Sequence, residues 1–229
     1  MDYQPQFTTS KNNQVYSIAV ALLFTLFAMA MGYIYIGLPP VIIVGGSGIV
    51  GFVMWYRTYL KNPLDPAIIL PLFLLTVTGL EIHMCEEYLT GFGPAMSRLF
   101  DISWTERSFL IVFTFIGPIL YSLTALGLYY RVPLAGFMAW FIFIGPGVAE
   151  FSHFIFPLFQ PAIAPSLPDA VSQTVSNGTF VADMPNYYFR TMGNYYFSGM
   201  YTAILPMIPG IFAICKIVKA SRANLKPAH

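Results

Sequence analysis

The sequence predicts an all-α fold, a polytopic membrane helical bundle of about six transmembrane helices forming a single integral membrane domain over residues 1–229. Three observations carry this expectation. Hydrophobic residues make up 57% of the chain and charged residues 9%, whereas a soluble domain has about 25% charged residues. No charge occurs between Lys11 and Arg57, a stretch long enough for two crossings of a hydrocarbon core about 30 Å thick. The apolar sequence also falls into six runs separated by segments rich in Pro, Gly or charge. A net charge of +1 without a basic, aromatic-interleaved patch excludes nucleic acid as a partner.

The first run, residues 16–36, follows a polar start and is about 21 residues long. It is too long for a signal-peptide core and lacks a small-residue cleavage site, so it reads as a retained span. Gly37-Leu-Pro-Pro40 ends it and opens the second, residues 40–56, because proline fits the first turn of a helix. Gly45, Gly46, Gly48 and Gly51 crowd the second span, predicting close backbone approach to a neighbour. No Lys-Ser/Thr follows these glycines, which removes the phosphate-loop reading.

A polar loop with Arg57 and Lys61 leads to the third run, residues 66–88. Thr90 to Arg107 reads as a loop or short interfacial segment, with Trp104 as an interface anchor. The fourth run, 108–130, carries Gly117-Pro118 at mid-depth, where proline frees a carbonyl and kinks a helix. Gly145-Pro-Gly147 breaks the fifth, 132–156, just before Glu150. Residues 160–190 form a long loop, marked by Pro161, Pro165, Pro168, Asp169, Gly178 and Pro185 and containing the sequon Asn177-Gly-Thr179. The sixth run, 196–215, precedes a basic tail. With six spans, eight Lys or Arg fall on the side of the termini and three on the other. The positive-inside rule then places both termini in the cytoplasm and the 160–190 loop outside. Cys85 reads as a small buried hydrophobe, and Cys85 and Cys215 fall near opposite faces, so no disulfide is expected.

Chemistry concentrates at two points. Glu81-Ile-His83-Met-Cys-Glu86-Glu87 holds three of the five Glu residues and one of the three His residues. His83, Glu86 and Glu87 are spaced i, i+3, i+4 and share a helical face. Glu150-Phe-Ser-His153 repeats the pairing at i, i+3. Ionisable groups in or beside a span are costly and mark function by default. His83 lies 17 residues past Pro66 and Glu150 18 residues past Val132, so each sits about 26 Å along a helix running in the same direction. Equal depth predicts one polar pocket, at the non-cytoplasmic boundary, lined by His83, Glu86, Glu87, Glu150 and His153.

The spacing His83-x-x-Glu86-Glu87 resembles the HXXEE-motif family of polytopic membrane proteins. The resemblance extends to Gly91-Phe-Gly-Pro94, to the later helix with His153, and to Tyr196-Phe-Ser-Gly-Met-Tyr-Thr-Ala-Ile-Leu-Pro206. Ser198-Gly199 stands where that family usually has Pro-Gly. The resemblance implies a fold and a site more than a reaction. Ile82-His83 followed by Glu, Gly117-Pro-Ile-Leu120 and Arg131-Val-Pro-Leu134 are similar, more remotely, to the emopamil-binding-protein and sterol isomerase (EXPERA) family. That similarity implies an intramembrane His and acidic set that shifts a sterol double bond. Here the His-to-Glu spacing is one residue shorter, and the fourth span lacks an acidic partner.

Three functional classes stay open. The first is an intramembrane enzyme acting on a lipophilic isoprenoid, sterol or lipid substrate by His/Glu acid–base chemistry, such as isomerisation or cyclisation, with no cofactor. Adjacent Glu86 and Glu87, with Glu81 nearby, repel as anions, so one keeps its proton and can serve as the acid. The second is a metal-dependent membrane hydrolase or oxygenase, with zinc, iron or manganese on His83, Glu87, Glu150 and His153. A bis-His haem on His83 and His153 fits the flanking Glu residues poorly. The third is a non-catalytic protein that binds a lipid or sterol. The partners expected in each case are a lipophilic small molecule and membrane lipid.

Overall fold

The computed structural model describes residues 9–100, 104, 106–159 and 195–223. The expected 160–190 loop and its Asn177 sequon lie outside the described residues. The fold is all-α, with no strand among the described residues, and six helices are long and apolar enough to cross a membrane.

Helix α1 spans Lys11–Tyr35 and is capped by Ser10, whose side chain accepts from the Asn13 N–H. Helix α2 spans Leu38–Thr58 and opens on two prolines. Helix α3, Pro66–Thr90, starts at Asp65, whose carboxylate accepts from the Ala67 N–H at 3.0 Å, and ends at Gly91. Gly91 has φ +78, a left-handed cap that glycine adopts without strain. A short helix α4, Phe92–Phe100, follows. The fourth crossing is built from α5 (Glu106–Phe109), a π-helical stretch Leu110–Ile116, and α6 (Gly117–Tyr129). The widened turns lie just ahead of Pro118, which has no N–H to donate. Helix α7 spans Pro133–Val148 and tightens into 3-10 segments at Ala149–Phe154 and Phe156–Phe159. Helix α8 spans Ile204–Ala223.

Several sequence expectations need correction. The last span opens at Ile204, not at Tyr196; residues 195–197 are irregular and 198–203 form turns. Helix α7 runs through Pro146 and changes character only at Ala149, where it tightens into the 3-10 segment. Trp104 is buried and packs on Phe92 at 5.4 Å between ring centroids, so it is a core residue and not an interface anchor. Cys85 is exposed, because it points away from the helix face that carries His83. Cys85 and Cys215 are both free.

Between membrane helices the hydrophobic effect is weak, so small residues and interlocked side chains hold the bundle. A Cβ on Gly48 would strike Thr25 of α1, and one on Gly51 would lie 3.2 Å from the Phe141 backbone of α7. The glycine stripe of α2 therefore seats it against two neighbours. One core cluster centres on Trp55, Tyr59, Phe73, Phe137 and Trp140, and a second on Phe92, Met96, Trp104, Phe109 and Phe197. A Cβ on Gly79 of α3 would come within 2.7 Å of the Leu205 backbone, and one on Gly147 of α7 within 3.0 Å of Gly210 Cα. These contacts pin α3 and α7 to α8 and draw the turn before α8 over the ends of both.

Candidate functional site

Three segments build the site. The closing turns of α3 put His83 and Glu87 on one face, four residues apart, while Glu86 lies about 100° further round. The 3-10 segment after α7 has three residues per turn, so Glu150 and His153 stand one above the other. The turn at residues 195–203 closes over both, with Gly199 at φ +86.

The two titratable clusters meet. The His83 and His153 rings are 4.8 Å apart between centroids and nearly perpendicular, at 86°. His83 Nε2 lies 3.4 Å from Glu87 Oε1 and 3.2 Å from Glu150 Oε2. His153 Nε2 lies 3.1 Å from Glu87 Oε1 and 2.9 Å from Glu150 Oε2. The four atoms thus form a closed ring of alternating nitrogen and oxygen, and the ligating set of the four residues falls within 4.8 Å. Side-chain exposure is 0% for His83, 2% for Glu87 and His153, and 16% for Glu150, so Glu150 is the member nearest the surface. Phe92 stacks on the His153 ring at 5.3 Å and 30°, with Phe156 and Phe197 beside it.

Protons on the outer nitrogens are fixed by their partners. His153 Nδ1 lies 2.7 Å from the Ser198 carbonyl oxygen. A carbonyl only accepts, so Nδ1 carries a hydrogen. Thr202 Oγ1 donates its one hydrogen to Glu86 Oε2 at 2.6 Å, and so accepts from His83 Nδ1 at 3.1 Å. Both imidazoles therefore turn Nε2 inward, onto two carboxylate oxygens. Four electron-rich atoms in a dry site repel unless positive charge lies among them, either as protons on Nε2 or as a metal ion. Glu87 Oε2 is buried with no hydrogen-bond partner among the described residues.

Glu86 does not enter this ring. Its Oε2 accepts from the Thr202 N–H at 2.7 Å and the Thr202 hydroxyl at 2.6 Å. Its Oε1 accepts from the Tyr196 hydroxyl at 2.9 Å and the Tyr201 N–H at 3.3 Å. It is a clip that fastens the 195–203 turn to α3. Burial, and then the Glu86 carboxylate, push the Tyr196 phenol well above its ordinary range. Of the five residues expected to line one pocket, His83, Glu87, Glu150 and His153 are brought together, and Glu86 acts one layer out. Glu81 stays apart, with Oε1 buried and unpartnered among the described residues.

Sequence reasoning missed Ser198, Gly199 and Thr202 as parts of the site. A Cβ on Gly199 would fall 2.8 Å from Glu87 Cγ, 2.8 Å from His83 Cε1 and 2.9 Å from His153 Cε1. The available signal was the Ser198-Gly199 pair within the aromatic stretch after Tyr196. The chain matches no known protein family, no curated protein and no solved structure.

Proposed function

We propose that this chain is a membrane-embedded metalloenzyme, in which His83, Glu87, Glu150 and His153 hold a zinc, iron or manganese ion and act on a lipophilic substrate. The observation that carries the reading is the convergence of two Nε2 and two carboxylate oxygens, with each Nδ1 hydrogen already taken by the protein. In metal sites the second nitrogen of a ligating His characteristically donates to such an acceptor. Tetrahedral coordination at about 2.0–2.2 Å gives ligand–ligand edges of about 3.3–3.6 Å; the His83–Glu87 distance of 3.4 Å falls in that range, and the other three His–Glu distances, 2.9 to 3.2 Å, fall just short of it. Bound there, the ion supplies Lewis-acid or water-activating chemistry for a hydrolase, or redox chemistry for an oxygenase. Iron or manganese held by these four residues would accept further ligands, whereas zinc would take water or substrate only where a carboxylate gave up its place. Glu150, the ligand with partial exposure, is the one placed to release.

Metal analysis of the purified protein tests this. About one equivalent of a transition metal is expected, falling to background in His83→Ala and His153→Ala, and hydrolytic or oxygen-dependent turnover of a lipophilic substrate should disappear with it. Full occupancy by protons alone, with metal-free protein turning over, supports the second reading. That reading is acid–base isomerisation or cyclisation of an isoprenoid or sterol, as the similarity to the sterol isomerase family suggests. The hydrogen-bonded chain Glu86–Thr202–His83–Glu150 favours it, being a route along which a proton can move. Absence of both metal and turnover leaves lipid or sterol binding. The HXXEE-motif resemblance is compatible with each.

The charge bias supports both termini in the cytoplasm and residues 160–190 outside. With Cys85 and Cys215 replaced by Ser, single cysteines placed in 160–190 should react with an impermeant maleimide applied from outside. Labelling only after permeabilisation reverses the orientation.

A further inference from the structure

A second site lies at the other end of the bundle, where α3 begins and α8 ends. Ile68, Leu72, Phe212, Lys216, Lys219 and Ala220 line a cavity of about 560 Å³, of which the apolar side chains form the wall. Ile68 and Phe212 are 41% and 51% exposed, so the groove opens on the lipid-facing surface. Lys216 and Lys219 are about one helical turn apart on α8, so both reach the groove. The Lys216 ammonium sits 5.1 Å from the centre of the Phe212 ring. Among the described residues no carboxylate pairs with Lys216, Lys219 or Arg222, and the nearby Asp65 is engaged by Arg131 at 3.8 Å. His83 is 15 residues beyond Ile68 on α3, about 22 Å away, so this groove is separate from the His/Glu ring.

We propose that the groove binds an anionic glycerophospholipid. An acyl chain lies along Ile68, Leu72 and Phe212, and the phosphate is held between Lys216 and Lys219. The charge pattern selects the ligand. A zwitterionic lipid brings its own ammonium to a place that already holds unpaired cations, whereas an anionic one neutralises them. Basic pockets between spans at the cytoplasmic side take acidic headgroups for this reason, and the charge bias puts this end on that side. An apolar wall ending in two cations also fits a lipid better than a free phosphate, which has no use for the wall.

The full-length protein, reconstituted from an equimolar mixture of phosphatidylglycerol and phosphatidylcholine, is extracted and its retained lipids are counted by native mass spectrometry. Phosphatidylglycerol should be retained in about tenfold excess. The Lys216→Gln/Lys219→Gln double variant should remove the excess, and a charge-matched Lys11→Gln/Lys61→Gln variant should keep it. Leu72→Trp, which fills the groove and leaves both cations, should also lower retention. Equal retention of the two lipids, or an excess that survives both groove variants, overturns the proposal.

Discussion

With a metal in the ring, as proposed, Glu87→Gln should strip it from the purified protein and Glu86→Gln should leave it bound. The two residues are neighbours in sequence and chemically identical, so the contrast isolates geometry. Glu87 Oε1 stands 3.4 Å and 3.1 Å from the two Nε2 atoms. Exchange for an amide would remove one of the two anionic oxygens on which the proposed cation depends. Changes to groups that merely support ligands cost about 10–100-fold in metal affinity, so loss of a ligand should cost at least that. Glu86 instead accepts four hydrogen bonds, two at each oxygen. An amide turns one oxygen into a donor facing two donors. With charge-assisted bonds worth about 1.5–3 kcal/mol each, Glu86→Gln should lower stability by about 2–4 kcal/mol, read as an earlier melting transition in detergent. Metal content by elemental analysis and melting by intrinsic fluorescence then separate ligand from clip. A Glu86→Gln protein that loses its metal while Glu87→Gln keeps it reverses the assignment.

Gly199→Ala should damage both the fold and the site. The added methyl would lie within 3 Å of Glu87 and of both imidazole rings, and none of the three can withdraw without opening the ring of contacts. Gly199 also has φ +86, which a residue with a Cβ adopts at a cost of about 1–3 kcal/mol. Overpacking adds about 1–3 kcal/mol. The expected outcome is a loss of roughly 2–6 kcal/mol in stability together with loss of metal. Gly46→Ala is the internal comparison: nothing lies within 4 Å of its Cβ, and it should melt like the parent. Equal melting and equal metal content in the two variants would remove Gly199 from the site.

The spans were legible because lipid demands long apolar helices, and composition reports that directly. The start of α8 was not. Tyr196-Phe-Ser-Gly-Met-Tyr is apolar enough to pass for helix, and hydropathy does not distinguish a buried turn from a span. The four members of the ring were legible because His and Glu are rare here and end two apolar runs at equal depth. The i, i+4 spacing from His83 favoured Glu87 over Glu86 as the inward carboxylate, but the four donors that hold Glu86 lie in the turn before α8, which hydropathy did not reveal. The i, i+3 spacing of Glu150 and His153 was read on an α-helix; the observed 3-10 segment aligns them more closely. Ser198 contributes a carbonyl and Gly199 an absent side chain, and neither announces itself in a search for titratable residues.

The clip formed by Glu86 also sets a clock. Whatever the ring holds is enclosed by α3, the segment after α7, and a turn more than forty residues further along the chain. Departure through that turn must await its lifting, and lifting breaks the bonds that Glu86 accepts from Tyr196, Tyr201 and Thr202. Residence time along this route is therefore governed by a local opening equilibrium of the chain, and only secondarily by the strength of the bonds to the occupant. A carboxylate outside the ring thus sets how fast the site exchanges its contents along this route.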